Sequence, residues 1–178
     1  MKSIFADSFF FFALLNDSDR AHARAVRFID TLNRPLLTTA WVLAEVADGL
    51  CARRQRRKVA GLLDFLHGHE RVTVLPAGQG QFDAGVALYR KREDKDWSLT
   101  DCISFSVMRE HGMTDALTGD RHFEQAGVCG AAQVNLWERD SGAADSRRLT
   151  RKKGANLQRT IVSSAAPTPA GPRLLPAP

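Results

Sequence analysis

The sequence predicts an α/β fold in which helices cover both faces of a parallel sheet. Three observations predict it. Short apolar runs alternate with segments of helical spacing from residue 3 to about residue 136, which is how strand–helix–strand units read in sequence. The chain has 178 residues, enough for one domain with a real core and too few for two full ones. Its longest apolar run, Phe9 to Leu15, is far short of the roughly 20 residues that cross a bilayer.

Residues 3–6 read as a strand and 8–15 as a helix closed by Asn16-Asp17. Residues 22–32 carry Ala25, Val26, Ile29 and Leu32 at helical spacing. Pro35 opens a short strand through Leu36 and Leu37, and Thr38 or Thr39 can cap a helix running to about Arg53. A helix over 58–66 is followed by the valine-bearing strand 71–75, which Pro76 stops. Residues 79–91 place Phe82, Val86 and Tyr89 on one helical stripe, and 98–111 form a helix ended by Gly112. Residues 115–118 read as a strand before the turn Gly119-Asp120, and 132–136 as the last strand.

The net charge of +5 has a definite location. Residues 1–139 hold 18 Lys/Arg and 18 Asp/Glu, whereas 140–178 hold 7 Lys/Arg and 2 Asp. The domain expected over 1–138 is therefore close to neutral, so a basic nucleic-acid footprint cannot be read from the fold itself. Residues 139–178 hold five of the seven prolines and few large aliphatics. Such a segment cannot bury enough apolar surface to offset its ordering entropy, and it is predicted to be a disordered basic tail. Lys2 and the following phenylalanines resemble the start of a signal peptide, but Asp7 interrupts them and no small-residue cleavage site follows. Cys51, Cys102 and Cys129 are scattered without metal-ligand spacing. These features predict a cytoplasmic protein with no membrane span.

In open parallel sheets, ligands bind outside the carboxyl ends of the strands. Four acids merit attention there. Asp7 follows the first strand, and is either a helix N-cap or a site residue. Glu45 lies among Trp41, Val42, Leu43, Ala44, Val46 and Ala47, so it either reaches solvent along the helix or needs compensation. Asp101 stands three residues after Ser98, the spacing of a capping box, yet Phe105 and Met108 share its face and turn it inward. Asp120 follows the strand before Gly119, as a turn residue or a site residue. Carboxylates crowded at one edge repel one another, and a divalent cation removes that penalty. Oxygen donors without His or Cys favour Mg²⁺ or Mn²⁺, whose chemistry suits phosphodiester displacement.

The residues also resemble a known family. Ile4-Phe5-Ala6-Asp7-Ser8, Leu37-Thr38-Thr39 through Ala44-Glu45-Val46, Trp97-Ser98-Leu99-Thr100-Asp101-Cys102 and Ala116-Leu117-Thr118-Gly119-Asp120-Arg121-His122-Phe123 resemble PIN-domain nucleases, specifically VapC-type ribonuclease toxins of toxin–antitoxin pairs. The resemblance covers residues 1 to about 130, and the last two motifs are the specific ones. It implies a three-layer α/β/α sandwich and a Mg²⁺-dependent endoribonuclease, with Mn²⁺ as a substitute. It implies that Asp7, Asp101 and Asp120 bind the ion or ions, and that Glu45 helps to hold the metal and orient the attacking water. Ser8 and Thr118 would position water or phosphate. An antitoxin partner and a homodimer are implied as well. Such toxins end soon after the last strand, whereas this chain runs on for about 40 residues.

Other features carry less. Arg53, Arg54, Arg56 and Arg57 form a basic run that is either a solvated helix junction or a contact for the RNA backbone. His67-Gly68-His69-Glu70 lacks zinc spacing, and Gly78, Gly80 and Gly85 do not form a dinucleotide fingerprint. An aspartyl phosphatase needs a second Asp two residues after Asp7, where Phe9 stands. The remaining rival is a non-catalytic RNA- or partner-binding module on the same fold, against which the intact set of four acids counts.

Overall fold

A computed structural model describes residues 2–128. The strand expected over 132–136, the domain boundary near residue 139 and the basic tail lie outside the described residues. Within them the chain runs β1 (Ile4–Ala6), α1 (Ser8–Leu15), α2 (His22–Asp30), β2 (Leu36–Thr39), α3 (Ala40–Gly49) and α4 (Arg56–Gly68). It continues through β3 (Val72–Leu75), α5 (Gln79–Lys91), α6 (Leu99–Glu110), β4 (Ala116–Leu117) and α7 (His122–Gln125).

The expected parallel sheet is present. Its strand order is β3-β2-β1-β4, with Ile4 opposite Leu36, Phe5 opposite Ala116 and Leu36 opposite Val72. The central strands β1 and β2 are buried along their whole length, as expected of parallel strands with both faces covered. Edge strand β3 is only partly buried. The connections from β1 to β2 and from β2 to β3 step outward in one direction, and the connection from β3 to β4 returns across both. Right-handed crossovers in opposite directions put their helices on opposite faces, which yields the sandwich. The direction reverses between neighbouring strands β1 and β4, and this is where ligands bind in open sheets.

Several element ends differ from the sequence reading by one to four residues, and three of them bear on the packing. Strand β2 continues through Thr38 and Thr39, which pair with Val74 and Leu75 of β3. Thr39 then serves twice, ending the strand and accepting the Val42 N–H at 3.1 Å as the N-cap of α3. Helix α3 stops at Gly49, not near Arg53. The ring of Phe12 lies so close that a Cβ on Gly49 would sit 2.7 Å from it, so α1 approaches α3 closely at this glycine. Helix α2 ends at Asp30, and the Thr31 hydroxyl donates to the Arg27 carbonyl at 2.8 Å.

The packing fixes the elements that carry the acids. Helix α1 is apolar nearly all round and buries Phe10, Phe11, Ala13, Leu14 and Leu15. An aromatic chain links Trp97 to Phe105 (5.0 Å between centroids), Phe105 to Phe123 (4.9 Å) and Phe123 to Phe5 (6.3 Å). Phe123 is fully buried, so the short helix α7 is locked against β1 and α6. The Arg109 guanidinium adds a hydrogen bond to the Ala126 carbonyl at 2.9 Å. Gly85 also gains an explanation. A Cβ there would come within 3.2 Å of the Ile103 backbone, so this glycine permits the close contact of α5 with α6.

Candidate metal centre at the carboxyl edge of the sheet

Each of the four acids sits where a strand end or an adjoining helix places it. Asp7 follows β1 and precedes α1, but its side chain makes no helix-capping bond. It is almost wholly buried, at 3% exposure. One carboxylate oxygen, Oδ2, accepts the Thr118 hydroxyl at 3.1 Å, and the Ser8 N–H also bonds to the carboxylate. Thr118 follows β4, and its Oγ1 also accepts the Asp120 N–H at 2.9 Å. One buried hydroxyl thus ties Asp7 to the Asp120 backbone across the β1–β4 pair.

Asp120 in turn accepts the His122 N–H on Oδ1 at 2.9 Å, a local turn that leaves Oδ2 facing inward. Asp101 is both things the sequence allowed. It completes a capping box with Ser98, through bonds of 2.8 and 3.0 Å, and its side chain is largely buried, at 12% exposure. Glu45, in the second turn of α3, is half-buried and accepts a hydrogen bond from the Ser8 hydroxyl. Ser8 therefore bridges two acids, with its N–H on Asp7 and its hydroxyl on Glu45.

The charges of these groups act on one another. Burial pushes the Asp7 carboxyl up to about 7, and the charges of Asp101 and Glu45 push the same way, while Ser8 and Thr118 oppose. Burial also raises Glu45, with repulsion from Asp101 and Asp120 added. Asp101 is raised by burial and by Asp120, against the Ser98 hydrogen bonds and the nearby His122. The structure thus brings all four sequence-predicted acids into one electrostatic neighbourhood. A carboxyl whose proton is held to neutral pH chiefly by burial, with acidic neighbours adding to it, lacks a counter-charge.

The donor chemistry fits a divalent cation. Oxygen atoms of Asp101 and Asp120 and a ring nitrogen of His122 lie within 4.8 Å of one another. Asp7 and Glu45 stand outside that tightest set and act on it through the couplings above. The sequence reading counted only oxygen donors and missed His122. Its signal was the Asp120-Arg121-His122 spacing, which brings a side chain at i+2 back to the same turn.

The arginines are separate from this cluster. Arg53 and Arg54 lie in the turn after α3, and Arg56 and Arg57 in the first turn of α4. All four are exposed. Glu45 is four residues from the end of α3, about 6 Å of helical rise, and the basic junction follows that end in the chain.

A parallel sheet that gathers carboxylates at its switch point is an arrangement able to hold a divalent ion, and comparison with known proteins makes the class specific. The PIN domain family matches residues 4–128, and the chain belongs to that family. Its fold is similar to that of VapC20 of Mycobacterium tuberculosis, a sarcin-ricin loop cleaving toxin, with a TM-score of 0.62 and 28% identity. The match covers 70% of this chain and 95% of VapC20. No curated protein matches the chain. The expected PIN-like sandwich and VapC-type nuclease class are therefore met.

Proposed function

We propose that this protein is an endoribonuclease that hydrolyses RNA phosphodiester bonds with Mg²⁺, or Mn²⁺ in its place, as the toxin of a type II toxin–antitoxin pair. One observation carries the proposal: four carboxylates from four separate elements act on one another at the switch point, and Asp7 is held at about 7 by burial and by those neighbours. A cation bound among Asp7, Glu45, Asp101 and Asp120 would supply Lewis acidity and a water of lowered pKa for attack on phosphorus.

The chain's own groups have defined tasks in this reading. Asp7, Asp101 and Asp120 are the ion's carboxylate ligands. Glu45 helps to hold the ion and orients the attacking water. The Ser8 hydroxyl fixes Glu45 while its N–H holds Asp7. Thr118 keeps Asp7 and Asp120 in register. Arg53, Arg54, Arg56 and Arg57 contact the RNA backbone, which positions a strand without reading its bases.

Family membership supports an antitoxin as the natural inhibitor and a homodimer as the working assembly. Among the described residues no helix is long and apolar enough to cross a membrane, and a cytoplasmic site of action agrees with an RNA target. The test is cleavage of total RNA by the pure protein with and without Mg²⁺. Wild type should cleave only with the ion, while Asp7→Asn and Asp101→Asn should be inert yet folded. Cleavage that persists in excess chelator overturns the proposal.

A further inference from the structure

His122 is the polar group that the carboxylate account leaves over. Its Nδ1 is sealed from solvent and makes no hydrogen bond. Yet it stands 3.2 Å from Asp120 Oδ2 and 3.5 Å from Asp101 Oδ2. A protonated nitrogen at such a distance from a carboxylate normally aligns its N–H with one oxygen. A neutral nitrogen here aims a lone pair at two negative oxygens, which is tolerable only with a positive charge between them. Either way the imidazole points into the acidic cluster.

The spacing has a simple meaning. Two donors about 2.1 Å from one ion and at right angles to each other are about 3.0 Å apart. The separations of 3.2 and 3.5 Å are close to that edge length. The carboxylates keep free capacity, since Asp120 uses Oδ1 for the His122 N–H and Asp101 Oδ2 has a second lone pair beyond the Ser98 N–H. The ring is also held in place. Its neighbour Phe123 is buried between Phe5 and Phe105, and Gln125 of the same helix accepts a hydrogen bond from the Trp97 indole at 3.4 Å.

We infer that His122 Nδ1 is a nitrogen ligand that joins Asp101 and Asp120 on one divalent ion, so that the centre takes Mn²⁺ in preference to Mg²⁺. The inference rests on the metal-centre reading above and refines its ligand set. Imidazole suits transition ions, whereas Mg²⁺ prefers oxygen donors and gives up its waters reluctantly. One nitrogen among the donors therefore shifts the balance toward Mn²⁺.

The test uses pure full-length protein and Mn²⁺ or Mg²⁺ alone as probe. Pulsed electron paramagnetic resonance of the Mn²⁺-loaded wild type should show ¹⁴N modulation from a directly bound imidazole. His122→Ala and His122→Gln should lose it. Titration calorimetry should show the Mn²⁺ to Mg²⁺ affinity ratio falling about tenfold or more in both variants. Mn²⁺ binding in the wild type without ¹⁴N modulation overturns the inference, reduces His122 to a neutralising cation and leaves the carboxylate centre standing. Absence of any divalent binding overturns both. The wild-type spectrum decides the point even if a variant fails to fold.

Discussion

Replacing Asp7 by Asn should stabilise the metal-free protein, although it removes a proposed ligand. The Asp7 carboxyl rises from 3.8 to about 7 on folding, chiefly because it is buried. A carboxyl with a raised folded pKa favours folding while both states are protonated, below about pH 4. That advantage is lost as the pH rises to about 7, because the unfolded chain ionises first. At 1.36 kcal/mol per pKa unit the loss reaches about 4 kcal/mol above pH 7. Asn carries no charge at any of these pH values and escapes it. Its amide cannot reproduce both the Ser8 and the Thr118 hydrogen bonds, which costs about 1 kcal/mol. The net expectation is an Asp7→Asn variant about 2–3 kcal/mol more stable than wild type at pH 8, and equal or slightly less stable at pH 4. Urea unfolding in excess chelator at several pH values measures this difference directly. Adding Mg²⁺ at about 1,000 times its Kd should reverse the order, since a ligand that binds only the folded wild type then adds about 4.1 kcal/mol. A stability difference that does not change between pH 4 and pH 8 would refute the claim that Asp7 is a buried, uncompensated acid.

Three further outcomes are expected. Thr118→Val keeps the shape but leaves Asp7 Oδ2 and the Asp120 N–H without their shared partner, so stability should fall by about 1–3 kcal/mol and RNA cleavage should drop with it; both are read by thermal melts and a cleavage assay. Ser98→Ala removes the hydroxyl half of the capping box and should cost about 1 kcal/mol, while the Ser98 N–H still holds Asp101, so cleavage should survive. Gly85→Ala should destabilise by about 1–3 kcal/mol or more through overpacking of α5 on α6, and denaturant midpoints without a change in metal affinity would separate this from any effect on the acidic edge.

Much of this arrangement was readable from residues. The strand before Asp7 and the strand before Thr118 are short, apolar and followed at once by polar groups, so the sheet edge could be placed and the acids assigned to it. Ser98 and Asp101 showed their capping-box spacing directly. The unreadable parts depend on contacts between elements distant in sequence. Helix α3 ends at Gly49, where the Phe12 ring of α1 approaches the backbone, and propensity carries no information about a neighbour from another helix. The depth of Glu45 follows from how α3 lies against α1. The double role of the Thr118 hydroxyl needs β1 and β4 to be paired before it has meaning. His122 was overlooked because a lone histidine beside a turn resembles many surface histidines; only its sealed Nδ1, facing two carboxylates, marks it out.

The pairing of β1 with β4 has a consequence during synthesis. Phe5 meets Ala116, and Asp7 reaches Thr118 only through that long-range contact. A nascent chain still threaded in the ribosome before residue 120 emerges therefore owns only part of its acidic cluster. Contacts that close so large a loop form late. By this strand order the acidic cluster stays incomplete until nearly all of the described domain has been translated.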